Sequence, residues 1–220
     1  LFNETEQRNA ELAVINSVQE GLVAEMNMQG IYDLVGDRIR DLFDAQVTGI
    51  VTFTHDDKME HWMYVYEDGG RLYPSSRQYD KVREKIISDR ETLLFNENAG
   101  QAMAEINEKT FKPLPGTRLA KSAVYVPMLV GGEVRGYVTL QNLDRDHAFS
   151  ESDVRLLSTL ANSMSVALEN ARLFNETNRL LAETEQRNAE LAVINSVQEG
   201  LVREMDMSAI YSLVGNRMCE

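Results

Sequence analysis

In a chain of 220 residues, 43% hydrophobic and 26% charged side chains supply enough apolar surface for a packed core, which excludes a disordered or fibrous chain. Acidic residues outnumber basic ones 35 to 22, and no Lys/Arg cluster offsets the net charge of −13, so neither nucleic acid nor an anionic membrane is an expected partner. One cysteine, Cys219, leaves no internal disulfide, and apolar runs such as Ala123 to Val130 fall short of the ~20 residues of a bilayer span, so a cytosolic (cytoplasmic) globular protein is expected.

The sequence starts at Leu1 without an initiator methionine or signal peptide and reaches Glu220 inside a periodic apolar pattern, which predicts a segment of a longer protein. Residues 1–27 read as a lead-in helix. Its stretch ETEQRNAELAVINSVQEGLV, Glu4 to Val23, recurs unchanged at Glu183 to Val202, and the wider similarity runs from Glu4 to Asp41 and from Glu183 to Glu220. An offset of 179 residues is too long for a solenoid and fits a tandem array of whole domains, each with its own lead-in helix. LFNET also occurs twice, at Leu1 and Leu173, but in the second copy the seven residues Asn178 to Thr184 intervene before EQRN. An added heptad turns a helix by two full turns less about 20°, so both copies keep nearly the same face downstream. A helix that passes register or rotation needs that phase, and a flexible linker does not.

Next in order, Met28 to Phe43 is amphipathic, with Ile31, Leu34, Val35, Ile39, Leu42 and Phe43 on one face. Val47 to Thr54 and Glu60 to Tyr66 are rich in β-branched and aromatic residues about a polar turn at His55, Asp56 and Asp57, a predicted hairpin. A loop with Gly69, Gly70 and Pro74 leads to a helix near Gln78 to Ser88, a strand at Thr92 to Phe95 and a helix near Ala99 to Ile106. Lys112 to Lys121, broken by Pro113, Pro115 and Gly116, should be irregular. Ser122 to Val130 and Val134 to Asn142 flank Gly131-Gly132, which suits a tight turn with positive φ. Large apolar residues alternate onto both faces of these strands, so the sheet should be covered on both sides around a single core, an α+β fold. After Phe149 no Pro or Gly occurs until Gly200, and Leu156, Leu157, Leu160, Met164, Ala167, Leu168, Ala171 and Phe174 recur at spacings of three and four. Beyond Asn175 the stripe thins to Leu180, Leu181, Ala182 and Ala189; it suits the seam of a parallel two-helix coiled coil, or else a single solvated helix held by local ion pairs. The expected seam comprises Leu160, Met164, Ala167, Ala171, Phe174 and Leu181.

The run from Ser122 to Phe174 combines a strand ending in Val-Pro-Met, a Gly-rich hairpin, Gly-Tyr-Val-Thr-Leu, Phe-Ser-Glu-Ser-Asp opening a long helix, and Asn-Ala-Arg-Leu-Phe. In this it resembles the C-terminal half of a GAF domain, and the match extends in element order over about Met28 to Phe174. The resemblance implies a GAF/PAS-like sensory module: an antiparallel sheet of about six strands between helices, with long N- and C-terminal connecting helices. It also implies a small-molecule pocket between the sheet and the variable helices and loops, and a parallel homodimer made through the terminal helices. The chain then divides into a lead-in helix at 1–27, a GAF domain at 28–174, a connecting coiled coil at 175–206 and the start of a second GAF domain at 207–220. Adjacent GAF domains and an output domain of the same chain are the expected partners, and the identity of any ligand or cofactor is open.

Candidate chemistry is sparse. Asn142, Phe149 and Asp153 match the Asn-Lys…Phe-x-x-x-Asp-Glu motif of cyclic-nucleotide-binding GAF domains, but Leu143 stands in place of its Lys and Val154 in place of its Glu. A capping box from Ser150 to Asp153, with Phe149 stapled to Val154, explains Phe149 and Asp153 without a ligand. His55, Asp56, Asp57 and His61 could ligate a metal, yet read as ordinary turn chemistry, and His147 as solvated. Bilin attachment and thiol chemistry would need a cysteine inside the domain, and no nucleophile, phosphate loop or carboxylate pair stands out, so no enzyme and no metal site are expected. The pocket candidates are the aromatic residues Trp62, Tyr64 and Tyr66, taken to share one side of their strand, with Tyr125 and Tyr137. Such aromatics form either core or a ring-binding cage. To these add Thr139 and Gln141, polar in mid-strand on the face of Tyr137, and the loop residues Ser75, Arg77, Thr117 and Arg118.

Overall fold

The computed structural model describes residues 16, 21, 27–108 and 117–217, so the lead-in helix, the loop residues Lys112 to Gly116 and Cys219 lie outside the described residues. The chain divides into two units, Leu1–Arg172, which holds the sheet, and Leu173–Glu220, which is helical to Arg217.

Helix α1, Met28–Leu42, opens at Asn27, whose side chain accepts from Gln29 N and satisfies one of the orphan amides of the first turn. Ile31, Val35 and Ile39, spaced at four residues, are fully buried, each contributing about 1.5–3 kcal/mol of apolar transfer. The strands are β1 (Val47–Thr54), β2 (Met59–Glu67), β3 (Gly70–Arg71), β4 (Arg77–Gln78), β5 (Leu93–Phe95), β6 (Ser122–Val130) and β7 (Glu133–Asn142). Helices α2 (Lys81–Asp89) and α3 (Ala99–Ile106) interrupt them, and α4 (Glu151–Arg217) follows. All pairs are antiparallel in the order β3-β2-β1-β7-β6-β5, with β4 also on β2, seven strands where about six were expected. The two-residue β3 and β4 strap the loop after β2 to its edge. The β6-β7 turn uses Gly131 and Gly132 at φ 59° and 83°, where a Cβ would be strained.

Each face of the sheet carries its own core, so there are two cores and not one. On one face α1 and the start of α4 pack Ile31, Val35, Ile39, Leu157, Leu160 and Met164 onto Ile50, Tyr64, Val126, Val138 and Leu140. On the other, α2 and α3 pack Val82, Ile86 and Met103 onto Val51, Phe53, Tyr125 and Tyr137. Ser150 caps α4: its amide donates to Asp153 Oδ2 at 2.8 Å and Asp153 N donates back to Ser150 Oγ at 3.2 Å. Phe149 is buried beside the partly buried Val154.

Candidate functional site

On the α2/α3 face the strands β1, β2 and β7 meet the residues just before β6 around a cleft that mixes apolar and polar side chains. Val47 and Gly49 of β1, Trp62, Val65 and Glu67 of β2, and Thr139 and Gln141 of β7 form its floor, with Arg77, Arg83, Thr117, Arg118 and Tyr125 around them. Gly49 opens the floor, since a Cβ there would lie 2.9 Å from Thr139 Cγ2. The cavity is about 40 Å³, room for about three water molecules.

Beside the cleft lies a charged cluster within the core. Glu60 is fully buried and Arg83 is 2% exposed. The Glu60 carboxylate accepts from Arg77 Nε at 2.5 Å, Arg83 Nε at 3.1 Å and Tyr137 Oη at 3.0 Å, and Arg83 Nη2 lies 3.1 Å from the same phenol oxygen. Burial pushes the Tyr137 phenol well above its ordinary range, against the pull of Arg83, so it stays protonated and can donate. Arg83 also sits over the rings of Tyr125 and Tyr137, 5.5 Å from each centroid, and Arg77 over Trp62 at 5.4 Å. Glu60, Arg83 and Tyr137 are mutually paired, but two residues that line the cleft each hold a polar atom that is not: Thr139 Oγ1 and Trp62 Nε1 are buried without a hydrogen-bond partner. At the rim, Arg118 N donates to Glu67, and the guanidinium of Arg118 bridges Asp68 at 3.0 Å and Asp144 at 3.1 Å.

The structure brings Trp62, Arg77, Thr117, Arg118, Tyr125, Thr139 and Gln141 together around this cleft. Tyr64 and Tyr66 are elsewhere. A β-bulge opposes Val51 to Trp62 but Ile50 to Tyr64, so Met63 is the extra residue and the alternation slips by one. Trp62 therefore faces the α2/α3 side, while Tyr64 and Tyr66 face α1, with Tyr64 Oη donating to Asp37 and Arg40 over the Tyr66 ring. Ser75 is exposed and does not line the cleft, and Tyr137 is buried in the charged cluster. Sequence reasoning missed Gly49, Glu60, Glu67 and Arg83; the one available signal was Glu60, a carboxylate two residues before Trp62 and so expected on the same side of its strand.

The expected seam needs a similar correction. Leu160 and Met164 are fully buried and Ala171 is 6% exposed, all within the core of their own domain, with Ala167 packed against it, so they are not available to a second chain. Phe174 and Leu181 are exposed. Asn142 serves a turn, its Oδ1 accepting from Asp144 N and Arg145 N. His55 Nε2 meets Val134 O, and His61 lies between Thr54 Oγ1 and Ser76 Oγ; among the described residues no group of three or more His, Cys, Asp or Glu could hold a metal ion. His147, expected to be solvated, is exposed but paired with Glu97 at 2.5 Å. No described helix is long and apolar enough to cross a membrane.

An antiparallel sheet with α1 and the start of α4 on one face, and a cleft beside short helices and loops on the other, defines a small α+β domain. The sequence model of the GAF domain matches residues 25–169, and the chain belongs to that family, whose members are generally regulatory. The formate hydrogenlyase transcriptional activator FhlA of Escherichia coli K12 is 22% identical over 189 residues, which are 80% of this chain and 27% of that protein; the chain thus spans about a quarter of that relative. Among solved structures, the GAF domain of an Acinetobacter phosphoenolpyruvate-protein phosphotransferase superposes with a TM-score of 0.63 at 17% identity, covering 75% of this chain and 96% of that one. The free methionine-R-sulfoxide reductase of Neisseria meningitidis, solved with its substrate, gives 0.58 at 13% identity, covering 74% and 90%. Both likenesses are of fold.

Proposed function

We propose that the domain is a ligand sensor without catalysis of its own, which binds a small molecule in the cleft at Trp62 and Thr139 and passes its state along α4, as part of a parallel dimer, to neighbouring GAF and output domains of the same protein. The pair of unpartnered donors at the cleft carries this reading. An orphaned buried hydroxyl and indole N–H each cost on the order of 1–3 kcal/mol, a penalty that a ligand acceptor removes. The relay part is supported by the exposed apolar residues of the second unit, where Leu173-Phe174, Leu180-Leu181, Ile194 and Leu201-Val202 fall on one heptad phase of α4, broken once at Arg187-Asn188.

A second reading has its own support. The inner part of the same face is filled by Glu60, Arg83 and Tyr137, which are mutually satisfied, as a ligand-free dimerisation and relay module would require. Thermal denaturation in the presence of cyclic nucleotides, purines and small organic acids separates the two. A sensor gains about 2.7 kcal/mol at a hundredfold excess of its ligand over Kd, and a relay module gains nothing from any compound.

A further inference from the structure

We infer that the cleft takes a small carboxylate of only a few heavy atoms, held by Arg77, Trp62 Nε1–H and the Thr139 hydroxyl, an assignment that rests on the sensory reading above. Of the two unmet groups the Thr139 hydroxyl can donate or accept, and the Trp62 indole is the one that selects between ligand classes. The indole nitrogen can only donate, so an ammonium or another donor leaves it unsatisfied, whereas a carboxylate oxygen accepts from it. Thr139, 1% exposed, is among the residues that line the same cavity. The guanidinium groups of Arg77, Arg83 and Arg118 also line the cleft, but Glu60, Asp80, Asp68 and Asp144 pair with them and Glu67 lies on the same wall, so net charge does not select the ligand and the unmet donors do.

The number of donors limits the size of the anion. Arg83 is spent, with Nε on Glu60, Nη2 on Tyr137 and Nη1 facing Asp80 at 3.4 Å. Both terminal nitrogens of Arg118 go to Asp144 and Asp68. Arg77 gives only Nε to Glu60, and among the described residues its terminal nitrogens bond to nothing else. Its guanidinium is also a third exposed and stacked on Trp62, so it can shift over an incoming anion. One forked cation and two orphan donors match the two oxygens of a carboxylate. A phosphate dianion asks for more donors than remain.

Isothermal titration calorimetry of the chain at constant ionic strength tests this with acetate and pyruvate, with acetamide as the uncharged isostere and inorganic phosphate as the competing anion. Saturable binding of at least one carboxylate is expected, with acetamide and phosphate roughly tenfold weaker or silent. Thr139→Val, which keeps the shape and deletes the hydroxyl, should weaken the carboxylate by roughly tenfold while melting no lower than the parent, because it also removes an orphaned polar group. Arg77→Gln should weaken it without unfolding the domain, the side chain being partly exposed. Equal binding of acetamide or phosphate, or a Thr139→Val variant with undiminished affinity, overturns the assignment. If carboxylates are silent and a nucleotide or other compound of the thermal screen stabilises the domain, the ligand class is wrong and the sensor stands; if nothing stabilises it, both fall.

Discussion

Gly136 shows how closely the sheet is built. A Cβ there would lie 2.0 Å from Val51 O and 2.9 Å from Thr52 Cα, both backbone atoms that can retreat only by parting β1 from β7. Gly136→Ala should therefore cost about 3 kcal/mol or more in urea unfolding, at the upper end of overpacking effects, whereas Gly200→Ala, which meets nothing within 4 Å, should be neutral or stabilising. The buried cluster makes a second demand. Glu60→Leu leaves the Arg83 guanidinium buried without its main counter-charge and should cost about 3–5 kcal/mol by the same measurement. Glu67 responds to pH. Burial chiefly raises its carboxyl above the usual range, with Asp68 adding to this and Arg118 opposing. A raised folded-state value means that the folded chain holds the proton more tightly than the unfolded one. That contribution is present at low pH and is lost as pH rises through the raised value. Glu67→Gln should lack this loss, so its stability relative to the parent should rise from the ordinary carboxylate range towards neutrality; a constant difference across that interval would contradict the burial account. The sequence marked Gly136 only as part of a strand motif, and the pairing of Glu60 with Arg83, 23 positions apart, was not legible in it, because charges so far apart read as ordinary surface.

The elements were far more legible than their contacts. The helix at Met28, the hairpin around His55 and the β6-β7 pair about Gly131-Gly132 follow from local periodicity and turn chemistry, and they fall where the sequence predicts within a residue or two. The slip at Met63 was not legible, because Trp-Met-Tyr-Val-Tyr offers no polar residue to mark which side faces out, and only pairing with β1 reveals the extra residue. Nor could periodicity tell an intramolecular face from an intermolecular one on α4. Leu160 and Met164 follow the helical spacing that leads on to Phe174 and Leu181, yet the first two are buried in their own domain and the latter two are exposed. The exposed part is where association should be sensitive. Phe174→Glu with Leu181→Glu should turn a dimer into a monomer in sedimentation at micromolar concentration without lowering the melting temperature of the sheet domain, since both residues lie in the second unit. A monomeric parent chain at high micromolar concentration would remove the dimer altogether.

At the scale of the whole molecule, the heptad Asn178 to Thr184 separates LFNET from EQRN inside α4. Removing all seven residues shifts the downstream face by only about 20°, so coupling to a reporter domain fused after Arg217 should survive. Removing four shifts it by about 40° in the opposite sense and shortens the helix out of register, which should abolish or invert the output. Identical behaviour of the two deletions would argue for a passive linker. Such a relay has something to report only if the cleft at Trp62 and Thr139 is occupied in one state and empty in another. The chain contains one tryptophan, so the ¹H–¹⁵N spectrum of labelled protein has a single indole cross-peak, and that proton is the orphaned donor itself. Titrating acetate, pyruvate and then the wider metabolite set should move this peak downfield to a saturating position as a ligand oxygen accepts from Nε1–H, and the movement should be lost in Thr139→Val at the same concentration. An indole peak that stays fixed under every compound, including any that stabilises the fold, would contradict a ligand site at this cleft.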